Sequence, residues 1–167
     1  DPDEIAQIKN IADQSNTLVS NMSEIIWALN SRFDTTENLI GYLRRYIVEY
    51  LEDHHIPHQL VTNHEHEDIP EKKKKRRNVF LVLKEILHNS VKYAKAEKIE
   101  ITYSVDNRLT IDVFERGNPG FVPEEAIEKG NGIYHMTKRM SAIGGQISFK
   151  REQNGMFISF SFPLHFL

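Results

Sequence analysis

Residues 79–94 constrain the fold of this chain most. Val79, Phe80, Leu83, Ile86, Leu87, Val91 and Ala94 recur at three- and four-residue steps, the repeat of a helix with one buried face. Glu85, Asn89, Lys92 and Tyr93 then fall together on another side, at i, i+4, i+7 and i+8. A helix that buries one face and aligns a carboxylate, an amide, an ammonium and a phenol on the other usually has a ligand for them. The period then changes. Ile99, Ile101, Tyr103 and Val105, and after them Leu109, Ile111 and Val113, alternate as in half-buried strands, and Asp106-Asn107 between them fits a tight hairpin.

The same reading extends in both directions. Asp34 offers an N-cap, with Glu37 as the reciprocal half of a capping box. Leu39, Ile40, Leu43, Tyr46, Ile47, Tyr50 and Leu51 then give a helix ending near Asp53. His58 to Val61 is a short strand, and residues 71–95 form the helix described above. A loop covers 116–131. A further helix runs to Ala142 and is stopped by Gly144-Gly145. Two strands follow, carrying Ile147 and Phe149, then Ile158, Phe160 and Phe162. Mixed helices with a mostly antiparallel sheet predict an α+β domain, a two-layer α/β sandwich over residues 31–167.

Residues 1–30 read as a separate element. Ile5, Ile8, Ala12, Ser15, Val19, Met22, Ile26 and Leu29 form a heptad seam, and Ile11, Leu18 and Ile25 widen it. Such a stripe suits a helical bundle. It needs a partner helix, either upstream in a longer protein or from a second copy. The chain opens on Asp1 rather than Met and reads as a fragment of something longer.

Composition removes other classes. A net charge of −3 argues against general nucleic-acid binding. There is no cysteine, hence no disulfide or thiolate metal site. No run of 18 apolar residues is present to span a bilayer. Lys72 to Arg77 reads as the solvated first turn of its helix, with Arg76 or Arg77 near the ligand. His64-x-His66 has no further ligand at a metal-binding spacing.

The polar helix face suits a phosphate ligand. The Asn89 amide oxygen is a fitting ligand for Mg²⁺, a hard cation. Glu85 can hold a metal-bound water or accept a proton, Lys92 can set an ammonium near phosphates, and Tyr93 can lay its ring on a purine. Taken singly, each residue also fits the solvated face of an ordinary amphipathic helix. Gly130-Asn131-Gly132-Ile133 leads into the next helix, whose first N–H groups suit phosphate. A loop ending in an N-cap would look the same.

Together these motifs carry a family resemblance. Residues 76–94 resemble the N box of bacterial two-component sensor histidine kinases, members of the gyrase, heat-shock-chaperone and mismatch-repair ATPase superfamily. Residues 130–145 resemble their second glycine box. Residues 22–43 resemble the junction between dimerisation helix and catalytic domain in a subfamily with large periplasmic sensors. The resemblance implies a Bergerat-type ATP-binding fold preceded by a long dimerisation helix, with ATP and Mg²⁺ as cofactors. It implies that Asn89 ligates Mg²⁺, Glu85 supports catalysis, Lys92 contacts phosphate and Tyr93 stacks on adenine. Gly130, Gly132 and Ile133 would shape the phosphate side. Glu115, Gly117 and Gly120 stand at the first glycine box, where the family usually has Asp-x-Gly-x-Gly. Here Glu replaces Asp, one residue is added between the glycines, and Met156 follows Gly155 where Thr is common.

The implied reaction is transfer of the ATP γ-phosphoryl to a histidine outside this chain, since none of its eight histidines sits in a phosphoacceptor motif. The implied partners are that acceptor helix, a response-regulator receiver domain and a second copy through residues 1–29. The implied place is the cytoplasmic portion of a membrane-anchored sensor. The alternative is a degenerate ATPase-fold scaffold that binds nucleotide weakly or not at all. A serine kinase of the anti-sigma-factor type fits the long heptad helix less well.

Overall fold

The computed structural model describes residues 1–30, 35–62, 73–117, 131–153 and 155–164. It divides into two compact units, residues 1–33 and 34–167. The first is one helix, α1 (Pro2–Leu29). Asp1 caps it by accepting from the Asp3 amide, and Pro2 occupies the first turn, where its missing N–H costs nothing. Ile5, Ile8, Ile11, Leu18, Val19, Met22, Ile25 and Ile26 are all exposed, so the helix displays the apolar stripe read from the sequence.

The second unit contains α2 (Thr36–Asp53), β1 (His58–Thr62), α3 (Lys73–Asn89), a π-helical segment (Ser90–Ala94), β2 (Lys98–Val105), β3 (Arg108–Arg116), α4 (Gly132–Ser141), β4 (Gln146–Glu152) and β5 (Gly155–Pro163). The five strands form one sheet in the order β1-β2-β3-β5-β4. β1 runs parallel to β2, and every other pair is antiparallel. This is the expected α+β architecture.

Alternation decides which sheet face is buried. Ile99, Ile101, Tyr103 and Val105 on β2, Leu109, Ile111 and Val113 on β3, and Met156, Ile158, Phe160 and Phe162 on β5 form the inner face. Lys98, Glu100, Thr102 and Ser104, with Thr110, Asp112, Phe114 and Ser159, form the outer one. The core is completed by Leu39, Leu43, Ile47 and Leu51 of α2, Val79, Val82, Leu83, Ile86 and Leu87 of α3, and Met136 and Met140 of α4. α3 packs against both α2 and α4. Phe80 meets Tyr42 and Tyr46 edge-on at 5.3 and 5.0 Å between ring centres, contacts of roughly 0.5–1.5 kcal/mol each.

Three expectations are corrected. The cap of α2 is Thr35, whose hydroxyl accepts from the Asn38 amide; Asp34 lies outside the described residues. The basic run is solvated only in part: Lys74 and Arg77 are exposed, but Lys75 and Arg76 are buried at the helical phase of Val79 and Val82. Lys75 Nζ donates to the Pro163 carbonyl at 2.7 Å and lies 5.5 Å from the Phe162 ring, tying α3 to the end of β5. Finally, the N-box helix is not α-helical to residue 95, since it widens into a π segment after Asn89. Of the described elements, α4 stops as expected. Gly144 turns at φ 72, and the Gly145 amide donates to the Met140 carbonyl at 2.8 Å, the six-to-one bond of a Schellman motif.

Candidate functional site

The site forms where three elements converge: the end of α3 with its π segment, the end of β3, and the start of α4. Glu85 and Asn89 are one turn apart on α3. Asn89 is 8% exposed, so its amide is mostly withdrawn from solvent. The start of α4 comes directly against them. A Cβ built at Gly132 would stand 2.9 Å from Glu85 Oε1 and 3.9 Å from Asn89 Nδ2. A side chain at this position would have to displace the Glu85 carboxylate.

The start of α4 is also chemically unusual. Asn131 occupies the N-cap in left-handed conformation, φ 57 and ψ 13, and its side chain makes no capping bond. N-cap side chains ordinarily satisfy one of the first amide donors. Here those donors are left without that cap, beside Asn89, at the positive end of the helix dipole. That arrangement suits an anion. Ile133 is buried beneath it and anchors the turn.

Glu115 closes the other side. It stands in the inward phase of β3, between Ile99 on β2 and Met156 on β5, and is 2% exposed. The Ser90 hydroxyl is in short contact with Glu115 Oε1, while Oε2 is buried and has no hydrogen-bond partner among the described residues. Burial pushes the Glu115 carboxyl up to about 7, and the Ser90 bond partly opposes this. A buried acceptor without a donor costs the fold free energy unless a ligand supplies one.

The structure thus brings Glu85, Asn89, Gly132 and Ile133 together. It seats Glu115 in the core, two residues before Gly117, which turns at φ 107. Lys92 lies exposed in the π segment, whose wider turns break the simple i, i+7 alignment with Glu85. Tyr93 belongs to the same segment, but its side chain lies outside the described residues, as do Gly120, Gly130 and the His64-x-His66 pair. Sequence reasoning missed Ser90. The signal was present: Ser90 follows Ile86 by four residues, on the buried phase, and a hydroxyl there requires a partner.

No model of a known protein family matches the chain. Solved structures do. The catalytic domain of histidine kinase ThkA matches with 24% identity over 77% of this chain and 91% of that one, TM-score 0.59. ThkA in complex with the response regulator TrrA matches with 22% identity over 95% of this chain and 50% of that one, TM-score 0.60. Full-length ShkA in complex with AMPPNP matches with 15% identity over 97% of this chain and 39% of that one, TM-score 0.63. The fold is that of the catalytic domains of histidine kinases.

Proposed function

We propose that this chain is the ATP-binding catalytic part of a two-component sensor histidine kinase. The observation that carries the reading is the approach of Gly132, at the start of α4 where Asn131 makes no side-chain cap, to Glu85 and Asn89. An anion-binding helix start beside a carboxylate and an amide suits a nucleotide phosphate chain. The residues fit the cofactors: Asn89 would hold Mg²⁺, which neutralises phosphate charge when bound. Glu115 Oε2, buried without a donor among the described residues, suits the 6-amine of adenine. Tyr93 would stack on the base, and the Lys92 ammonium would face phosphate.

The reaction breaks the bond from the γ-phosphorus to its bridging oxygen and forms a phosphorus–nitrogen bond to a histidine outside this chain, with ADP leaving. A receiver-domain aspartate then takes the phosphoryl group from that histidine. That ThkA is known in complex with a response regulator supports this kind of partner. The protein's share is positioning and charge stabilisation: α4 amides for the phosphates, and Glu85 to orient the attacking imidazole or take its proton. We place the chain on the cytoplasmic side of a sensor, where ATP is available, as a dimer through residues 1–29. Among the described residues, no helix is long and apolar enough to cross a membrane.

Calorimetric titration with ADP in the presence and absence of magnesium tests the reading. Asn89→Ala is expected to keep its fold, by circular dichroism, and lose the magnesium-dependent part of the affinity. Equal magnesium-supported affinity in both proteins would remove Asn89 as the ligand. Absence of binding in the unaltered protein would leave the scaffold alternative.

A further inference from the structure

Ser90 has one hydroxyl proton and two acceptors within reach. Its Oγ lies 2.8 Å from the Ile86 carbonyl oxygen and in short contact with Glu115 Oε1. Ser90 is fully buried and Glu115 nearly so. A hydroxyl donates once. Two arrangements are therefore open to it. With Glu115 ionised, Ser90 turns its proton to Oε1. With Glu115 protonated on Oε1, the carboxyl donates to Ser90 Oγ, and Ser90 donates to Ile86. Oε2 takes part in neither, and it has no partner among the described residues.

We propose that Ser90 is a specificity-determining residue of the purine site. It holds any proton that Glu115 takes up on Oε1, so that Oε2 remains an acceptor for the adenine 6-amine whether or not the carboxyl is ionised. The inference rests on the proposed reading of Glu115 as the contact for the base. Guanine presents a carbonyl at the same position, which an acceptor oxygen repels and a protonated Oε2 would attract. Without the Ser90 hydroxyl, a proton on Glu115 has no reason to choose Oε1, and the pocket would change its preference as it protonates.

Among the described residues, the surroundings leave this choice to Ser90. The cross-strand neighbours of Glu115 are Ile99 on β2 and Met156 on β5, neither of which titrates. The nearest inward residue of β3 is Val113, which is apolar and buried. Arg116 pairs with Glu100 on the outer face of the sheet. Burial holds Glu115 at about 7, so both forms are populated near neutrality.

The test is calorimetric titration of the full chain with Mg-ADP and Mg-GDP at about pH 6 and about pH 8. The quantity read is the ratio of the two affinities, in which histidine and phosphate titrations cancel. The unaltered protein is expected to prefer ADP at both pH values, by less at the lower one, where the bond to Oε2 is no longer charge-assisted. Ser90→Ala is expected to lose about tenfold more of that preference than the unaltered protein at the lower pH and little more at the higher. Ser90→Thr, which restores a hydroxyl, is expected to behave as the unaltered protein. Should Ser90→Ala not fold, Ser90→Cys, with its weak thiol donor, is expected to show the same change at smaller amplitude. A preference in Ser90→Ala, or in Ser90→Cys where that variant stands in for it, that falls with pH no more than in the unaltered protein would overturn the proposal. So would a collapse of preference at the lower pH in the unaltered protein. No nucleotide binding by the unaltered protein would overturn the reading of the site, and the inference with it.

Discussion

Glu115 occupies a strand position whose other inward residues are apolar, and its ionised form is the one the core resists. Its carboxyl rises from 4.5 to about 7 on folding, because burial outweighs the Ser90 bond. The folded state therefore binds this proton more tightly than the unfolded chain does. The stability contributed by the group is fully present below about pH 4.5 and is lost as pH rises through about 7. The shift amounts to roughly 3 kcal/mol between those limits. Glu115→Gln should flatten that part of the stability profile, seen as urea midpoints that no longer fall between weakly acidic and weakly basic pH. The same change should weaken ADP at about pH 8 by roughly 1.5–3 kcal/mol, since a charge-assisted bond is removed. Unchanged ADP and GDP affinities in Glu115→Gln would mean that the carboxyl does not contact the base. The burial of Glu115 was legible in the sequence, in phase with Leu109, Ile111 and Val113. Its pairing with Ser90 was not, because 25 residues separate them.

Among the elements, α4 depends on how closely its first turn approaches α3. Gly132→Ala puts a methyl 2.9 Å from Glu85 Oε1, so Glu85 must move or the helix start must withdraw. The helix itself should gain slightly, since Ala is the better helix former by up to about 1 kcal/mol. We expect a protein as stable as the original with at least tenfold weaker ADP binding; undiminished affinity would show that this approach is incidental. α1 shows the opposite situation, a helix well specified locally but left with an open apolar stripe. Ile8 and Met22 are 66% and 54% exposed, and such stripes are ordinarily covered. Ile8→Glu combined with Met22→Glu should shift a concentration-dependent dimer to monomer in sedimentation, with helix content retained. A monomer in the unaltered chain at high concentration would count against that use of the stripe. The π segment was illegible in the sequence. Helical periodicity registers apolar spacing, and one widened turn alters it too little to detect. What marks it is tertiary: Ser90 bonds back to Ile86 and across to Glu115.

For the molecule as a whole, the proposed chemistry takes its phosphoacceptor histidine from outside this chain. His54 and His58 bond to the Tyr50 and Ile56 carbonyls, and His88 and His135 lie exposed on α3 and α4. Labelling with γ-phosphate-labelled ATP should leave this chain unlabelled and should mark a supplied acceptor-helix fragment with acid-labile phosphate. Phosphohistidine on this chain alone would place the acceptor within it. Hydrophobic spacing by itself determined which segments are helix or strand and which side of each is buried, because burial selects residues at the period of the local backbone. It also marked Glu85, Asn89 and Gly132 as candidates. Spacing carries no information about which distant segments meet. That β1 joins β2 in parallel, that β5 inserts between β3 and β4, and that Lys75 reaches Pro163 were decided by packing between residues far apart in the chain. The site is a product of the same step: Gly132 reaches Glu85 and Asn89, and Ser90 meets Glu115, only once the helices lie across the sheet, since no local preference of either partner favours the contact.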